Sequence, residues 1–299
     1  MRELAKCMMA FTLVACGGSS PPPVEEPTPP PSGGLTPAVD CPQEAGGDAP
    51  DGIDGAIALA VGTHPGCFAV GDKKDTYALQ SPEDEFTLYK ISYEGHANAQ
   101  GCFEMWDAEK KQATWTDRCA AGAGATKSAW ALVAPNSRWF LQVHDLSGNA
   151  GSEARAYKLA LETTAVKDDD EPNGKPEEAK PVAFGKAKPS YFFEALNGPQ
   201  PEVDYFEFDL SSKGTLTVAI EDVDPAVQFA VKITDGTGKV VIEKGAANAG
   251  ASHSVQTKIG TGNFRIELRN VAGAGTPPVG TGEPPGYATK PYKLTVTRK

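Results

Sequence analysis

The chain has no apolar run near the roughly 20 residues that a membrane-spanning helix needs. Its most apolar N-terminal stretch, Cys7 to Ala15, is far shorter. It has no Cys-x-x-Cys pair, the spacing typical of a structural zinc site. Gly-x-Ser-x-Gly, His-Glu-x-x-His, a phosphate-cradling P-loop and a dinucleotide fingerprint are all missing, so the usual enzyme motifs give no catalytic reading. His64, His96, His144 and His253 stand apart, with no paired spacing for a metal. No segment carries a helical period. Positive charge is also scarce: 28 Lys and Arg face 39 Asp and Glu, a net charge of −11. That balance favours solubility and argues against nucleic acid as a partner.

What is present begins with an export signature. Arg2 and Lys6 precede the short apolar core, and Leu13-Val14-Ala15 end it with small residues before Cys16. A positive start, an apolar core and a small-residue cut describe a secretory signal over 1–15. Leu13-Val14-Ala15-Cys16 resembles the lipobox of bacterial lipoproteins. The resemblance implies cleavage before Cys16 and acylation of that cysteine, palmitate included, so that the protein is held at a membrane by lipid. Two or more chains anchor stably, at about 0.8 kcal/mol per buried CH₂. Gly17 in place of an aspartate implies, by the same resemblance, the outer membrane, with the protein on its periplasmic or surface face.

Six cysteines occur. Cys7 leaves with the signal and Cys16 takes lipid, so Cys41, Cys67, Cys102 and Cys119 remain. An even set in an exported chain reads as disulfides, with three pairings open. Cys102 and Cys119 bracket a hairpin-like segment and are expected to pair, which leaves Cys41 with Cys67. Zinc is the weaker alternative.

Residues 16–40 are Gly, Ser, Pro, Thr and Glu, with Pro21-Pro22-Pro23 and Pro29-Pro30-Pro31. This composition predicts a disordered, extended stalk. Beyond it the pattern is strand-like. Phe264, Ile266 and Leu268 alternate with Arg265, Glu267 and Arg269, and similar period-2 runs cover Thr215–Ile220, Phe229–Thr234 and Tyr292–Thr297. Glycine-rich turns such as Asp235-Gly236-Thr237-Gly238 separate them. The order of motifs repeats. Ala156-Tyr157-Lys158-Leu159 parallels Pro291-Tyr292-Lys293-Leu294, and Asp75-Thr76-Tyr77-Ala78-Leu79 parallels Asp204-Tyr205-Phe206-Glu207-Phe208. The segment Gly273–Gly286, rich in Gly and Pro, reads as a longer loop of the second copy. The expectation is an all-β chain: two tandem antiparallel, jelly-roll-like β-sandwiches, 41–166 with the disulfides and 167–299, after a disordered Pro-rich linker.

The second half resembles the bacterial pre-peptidase C-terminal (PPC) domain, a family that includes the collagen-binding domains of clostridial collagenases. The matching residues run from Glu171-Pro172-Asn173 through Val203-Asp204-Tyr205-Phe206-Glu207-Phe208 and Gly214-Thr215-Leu216-Thr217-Val218. They continue with Ile233 to Lys239 and Gly262-Asn263-Phe264-Arg265-Ile266, and close with Tyr292-Lys293-Leu294-Thr295-Val296. The first half looks like a diverged copy with added cysteines. The resemblance implies a non-catalytic sandwich. In some members an acidic opening binds Ca²⁺, which carries over to Asp169, Glu171, Asn173, Glu202 and Asp204. Clustered oxygen ligands suit such a hard cation. Gly174 stands where calcium-binding members often have a further aspartate.

All four tryptophans, Trp106, Trp115, Trp130 and Trp139, fall in the first half. Trp139 is in phase with Leu141 and Val143 and reads as core, whereas Trp115, flanked by Thr114 and Thr116, is the candidate ligand-binding aromatic. The functional expectation is a membrane-anchored, non-catalytic binding or scaffold module. Its partner would be another envelope protein, peptidoglycan or an extracellular polymer. A calcium-stabilised carbohydrate- or matrix-binding adhesin is the alternative, marked by an exposed aromatic row. A hydrolase with an unrecognised site comes third, marked by a deep pocket of converging carboxylates.

Overall fold

A computed structural model describes residues 41, 47–72, 74–107, 109, 112, 118–146, 153–192, 203–273 and 275–299. All of them belong to one compact unit, Thr36–Lys299. The signal at 1–15, Cys16, the stalk at 16–40, Trp115 and Glu202 lie outside the described residues.

Residues 57–166 form eight strands: β1 (Ile57–Ala58), β2 (Gly62–Phe68), β3 (Lys74–Gln80), β4 (Phe86–Glu94), β5 (Gly101–Trp106), β6 (Thr126–Val133), β7 (Arg138–Asp145) and β8 (Arg155–Val166). The second half adds β9 (Lys180–Pro181), β10 (Ala187–Ser190), β11 (Val203–Leu210), β12 (Gly214–Glu221), β13 (Phe229–Asp235), β14 (Val240–Gly245), β15 (His253–Ile259), β16 (Gly262–Asn270), β17 (Val279–Thr281) and β18 (Tyr292–Arg298). The chain is all-β as expected, with tandem antiparallel sandwiches. Among the described residues no helix is long and apolar enough to cross a membrane.

The two halves repeat one strand order. The first sandwich packs the sheet β1-β3-β7-β5 on β6-β4-β8-β2, and the second packs β9-β11-β16-β13 on β15-β12-β18-β10. The edge pairs β1–β3 and β9–β11 are both parallel, while the longer pairings around them are antiparallel. Period-2 alternation supplies each core. Tyr77, Leu79, Leu141 and Val143 face Ile91, Tyr93, Leu159 and Leu161 in the first. Phe206, Phe208, Ile266 and Leu268 face Val218, Ile220, Leu294 and Val296 in the second. Trp139 lies in the first core.

Both expected disulfides form. Cys102 and Cys119 face each other as an antiparallel bridge with Cα atoms 3.9 Å apart. Cys41 joins Cys67 on β2, 5.7 Å between Cα atoms.

One segment departs from the sequence reading. Gly273–Gly286 is not simply a loop of the second copy. It carries β17, which pairs antiparallel with β6 of the first sandwich, with Gly280 opposite Trp130. A β-carbon on Gly280 would lie 2.8 Å from Trp130 Nε1, so only glycine fits this close crossing. Leu88, Trp130, Leu132 and Val166, on the outer face of the first sandwich, are buried in the same cluster as the second core. The tie therefore has two parts, a strand added to a sheet edge and an apolar patch covered by the neighbour. Period alone did not reveal it, because a three-residue strand in a Gly- and Pro-rich stretch shows no alternation.

Candidate functional site

Each sandwich seats an aspartate at the end of its inward-facing row. In the second, β11 turns Asp204, Phe206, Phe208 and Leu210 inward. Asp204 is fully buried. Tyr292, first residue of β18, donates its O–H to Asp204 Oδ2 at 2.5 Å, while Oδ1 has no hydrogen-bond partner. Burial pushes the Asp204 carboxyl well above the usual carboxylate range, and the charges of Glu171, Asp168 and Asp170 push it further.

The segment 168–173 wraps this carboxyl. Asp168 Oδ2 accepts the Tyr191 N–H at 2.8 Å, and its Oδ1 accepts the Asp170 N–H at 2.9 Å. Burial raises the Asp168 pKa as well. Asp170, 4% exposed, lies 2.6 Å from Lys188 Nζ. Glu171 Oε2 accepts the Asn173 N–H at 3.3 Å. Asn173 is fully buried, and both its Oδ1 and its Nδ2 lack partners. A buried amide with neither end satisfied is costly, on the order of 1–3 kcal/mol for each group. Asp204 Oδ1 is likewise buried without a partner. The donor chemistry, carboxylate and amide oxygens, fits Ca²⁺.

The sequence-predicted ligands fall out as follows. Asn173 and Asp204 are buried, and the Glu171 charge acts on Asp204. Asp169 faces solvent, 80% exposed, and pairs with Lys167 at 3.3 Å. Its neighbours Asp168 and Asp170 turn inward instead. Residues 168–171 form a turn, with the Glu171 N–H on the Asp168 carbonyl at 3.4 Å, and the turn leaves Asp169 facing outward.

The first sandwich repeats the construction. Asp75, fully buried on β3, accepts the Tyr157 O–H at 2.5 Å and the Ala49 N–H at 2.9 Å. Tyr77 and Tyr157 share a hydrogen bond of 2.6 Å. Carboxylate oxygens of Asp48, Asp72 and Asp75 lie within 4.8 Å of one another. Burial is the main cause that pushes Asp75 up to about 8 and Asp72 up to about 6. Such spacing also suits a hard cation, but here both oxygens of Asp75 already have donors. Close by, the fully buried Arg155 and Asp145 form an ion pair, and Arg155 Nη2 donates to the Asp72 carbonyl at 2.9 Å.

A third feature is a surface groove of about 720 Å³ on the outer face of the β6-β4-β8-β2 sheet, beside β17. Its lining mixes polar and apolar surface, with Thr63, Ser92, Lys158 and Ala160 from the strands and Thr281 and Glu283 from the crossing segment. Among the described aromatic residues only Phe184, on the other sandwich, is prominently exposed, at 39%.

No protein-family profile matches the chain, and no curated protein matches it. Similar solved structures include the tandem CBM51 modules of a family 98 glycoside hydrolase from Streptococcus pneumoniae. That likeness has 12% identity over 76% of this chain and 81% of that one, with a TM-score of 0.24. The ANX1 ectodomain from Arabidopsis thaliana is 9% identical over 76% of this chain and 81% of its own, with a TM-score of 0.20. Scores this low carry no argument about ligands.

Proposed function

We propose that this protein is a non-catalytic binding module of the cell envelope, held at the outer membrane by lipid on Cys16 and stabilised by Ca²⁺ in its second sandwich. The observation that carries the binding reading is the shared sheet face. One end of it is sealed by the second sandwich, and the other is left open as a groove bordered by both. The calcium reading rests on the unpartnered Asn173 amide and Asp204 Oδ1. Asp168, Asp170, Glu171, Asn173 and Asp204 would hold the ion, whose charge would offset the cost of burying the Asp204 carboxylate. Lys188 would then give up Asp170.

Two experiments test this. Cys16→Ala is expected to move the protein out of the membrane fraction or leave it unprocessed. Unchanged processing and partition would refute the anchor. Calcium titrated into the soluble chain lacking the first sixteen residues is expected to give binding heat. At a hundredfold excess over Kd the linkage stabilises by about 2.7 kcal/mol, which for a chain of this size raises the midpoint by roughly 5–10 °C. Asn173→Ala removes an amide that has no partner, so in chelator it should leave the midpoint unchanged or raised. In calcium the variant should lose the gain. A parent midpoint indifferent to calcium would overturn the site.

A further inference from the structure

β17 belongs to the second half of the chain but completes the first sandwich. Val279 is buried in the first core, with Ala129 and Ala131 of β6. Leu132 N–H donates to the Pro278 carbonyl at 2.7 Å, and Gly282 N–H donates to the Ser128 carbonyl at 2.9 Å. Gly280 passes the Trp130 ring with no room for a β-carbon. The seat therefore specifies its strand: an apolar side chain for the core, then glycine. The resident uses only part of the edge. β6 has eight residues, and β17 pairs with three of them, Ala129, Trp130 and Ala131. β17 is barred from lengthening: Pro277 and Pro278 precede it without an N–H to give, Gly282 turns at a φ of 80°, and Pro284 follows. Toward its start β6 runs on. Thr126 pairs with Glu94 of β4 and, among the described residues, has no strand on its other side. Thr126 and Ser128 line the open groove at this point.

We infer that the β6 edge is an acceptor site for an extended polypeptide segment of a partner protein, which pairs with β6 in the place that β17 occupies. This site gives the binding module proposed above its partner class, and it rests on that reading. The incoming segment is antiparallel to β6 and carries an apolar residue and then glycine in the register of Val279 and Gly280. It continues without proline along Ser128 to Thr126. Main-chain hydrogen bonds supply the affinity of strand addition, and the alternate side-chain seats supply its selectivity. A free strand edge is a template for such pairing. The partner gains over β17 by length, since it reaches edge groups that the flanking prolines deny to the resident. β17 gives way because a three-residue strand with few main-chain bonds opens at low free energy. The Lys90–Glu283 pair at its flank is exposed on both sides and adds little.

The tethered β17 competes at the effective concentration of an intramolecular strand, so the test first vacates the edge. In the soluble chain, residues 277–282 are replaced by alternating glycine and serine. Two peptides are then titrated, one with the chain's own 276–283 sequence and one in which four threonines follow Thr281. Tryptophan fluorescence and the thermal midpoint are the readouts. Both peptides are expected to bind, the longer one roughly tenfold or more tightly than the other. Saturation should raise the midpoint by roughly 5–10 °C. Val279→Asp or Gly280→Val in the longer peptide should weaken binding by roughly tenfold or more. A folded vacated chain that binds neither peptide, binds the altered ones equally well, or gives the longer one no advantage overturns the acceptor site. Where the vacated chain does not fold, hydrogen exchange in the unaltered chain decides. The Leu132 and Gly282 amides, bonded across β6 and β17, are expected to exchange roughly tenfold or more faster than amides between β4 and β8. Equal rates would mean that β17 leaves only with the whole fold, and the site would fall. These outcomes bear on the strand partner alone, because the anchor and calcium tests decide the binding-module reading separately.

Discussion

Replacing Trp130 with alanine is expected to weaken both sandwiches at once. Trp130 points outward from β6, yet it is only 3% exposed because the second sandwich closes over it. Its ring meets Tyr287 edge-on, centroids 6.3 Å apart, and it lies against Gly280 of the added strand. Removing a buried tryptophan typically costs about 3–5 kcal/mol, the lost transfer energy plus the cavity. Here the cavity opens in a cluster that both halves share, so the loss is charged to both. Urea unfolding of the parent should be one cooperative transition, followed alike by tryptophan fluorescence, which reports the first half, and by far-UV dichroism, which reports both. In Trp130→Ala the midpoint should fall for both probes, and the two curves should separate as the coupling goes. Gly280→Val provides an independent route to the same result, because its side chain collides with the Trp130 ring. Loss confined to the fluorescence transition, with the second half unfolding as in the parent, would show that the two cores are independent.

Much of this architecture was legible because it is local. Alternation along Val203–Leu210 or Gly262–Asn270 identifies a strand and its buried face without reference to anything else. The doubled order of motifs followed from the same patterns. The parallels between Asp75 and Asp204, and between Tyr157 and Tyr292, were visible as well. Their meaning was not, since each aspartate meets its tyrosine across the two sheets of a sandwich, more than 80 positions apart. Only topology reveals that a charged residue in the inward phase is answered by a phenol. The acidic opening shows how finely such readings turn. Residues 168–171 form a turn closed by the Glu171 N–H on the Asp168 carbonyl, and that turn, which no strand pattern announces, separates the exposed Asp169 from the inward-facing Asp168 and Asp170. The groove was hidden for the opposite reason. Ser92, Ser128 and Ala160 are ordinary solvent-side residues in sequence, and they gain significance only when register sets them in one row beside β17.

The second large effect is a dependence on pH that runs opposite to acid denaturation. Asp75 titrates near 8 in the folded chain and Asp72 near 6, both raised chiefly by burial, against about 3.9 in the unfolded chain. Between those values the folded state holds more protons than the unfolded one. Stability from these groups is therefore complete below about pH 4 and is lost as pH rises through 6 and then 8. Asp168 and Asp204 are raised too and add the same sign. His144 opposes them: burial lowers its pKa, so its contribution is present above its unfolded value near 6.5 and lost on acidification. The clean window is thus pH 6.5 to 8.5. In chelator, the melting temperature is expected to fall across it. Asp75→Asn keeps the shape of the protonated acid and abolishes its titration. At pH 6.5 the parent already has to take up a proton at Asp75 on folding, a cost the variant does not bear, and the difference should widen from there as pH rises. From pH 6.5 to pH 8.5 the variant's relative stability should grow by at most about 2 kcal/mol, since roughly 1.5 units separate pH 6.5 from the folded value near 8 at about 1.4 kcal/mol per unit. The sign of the difference is decisive. A parent that gains stability with pH over this window, or a variant that tracks it at a constant offset, would mean that Asp75 stays ionised in the fold and that the buried aspartate–tyrosine pair is a charged hydrogen bond instead of a protonated one.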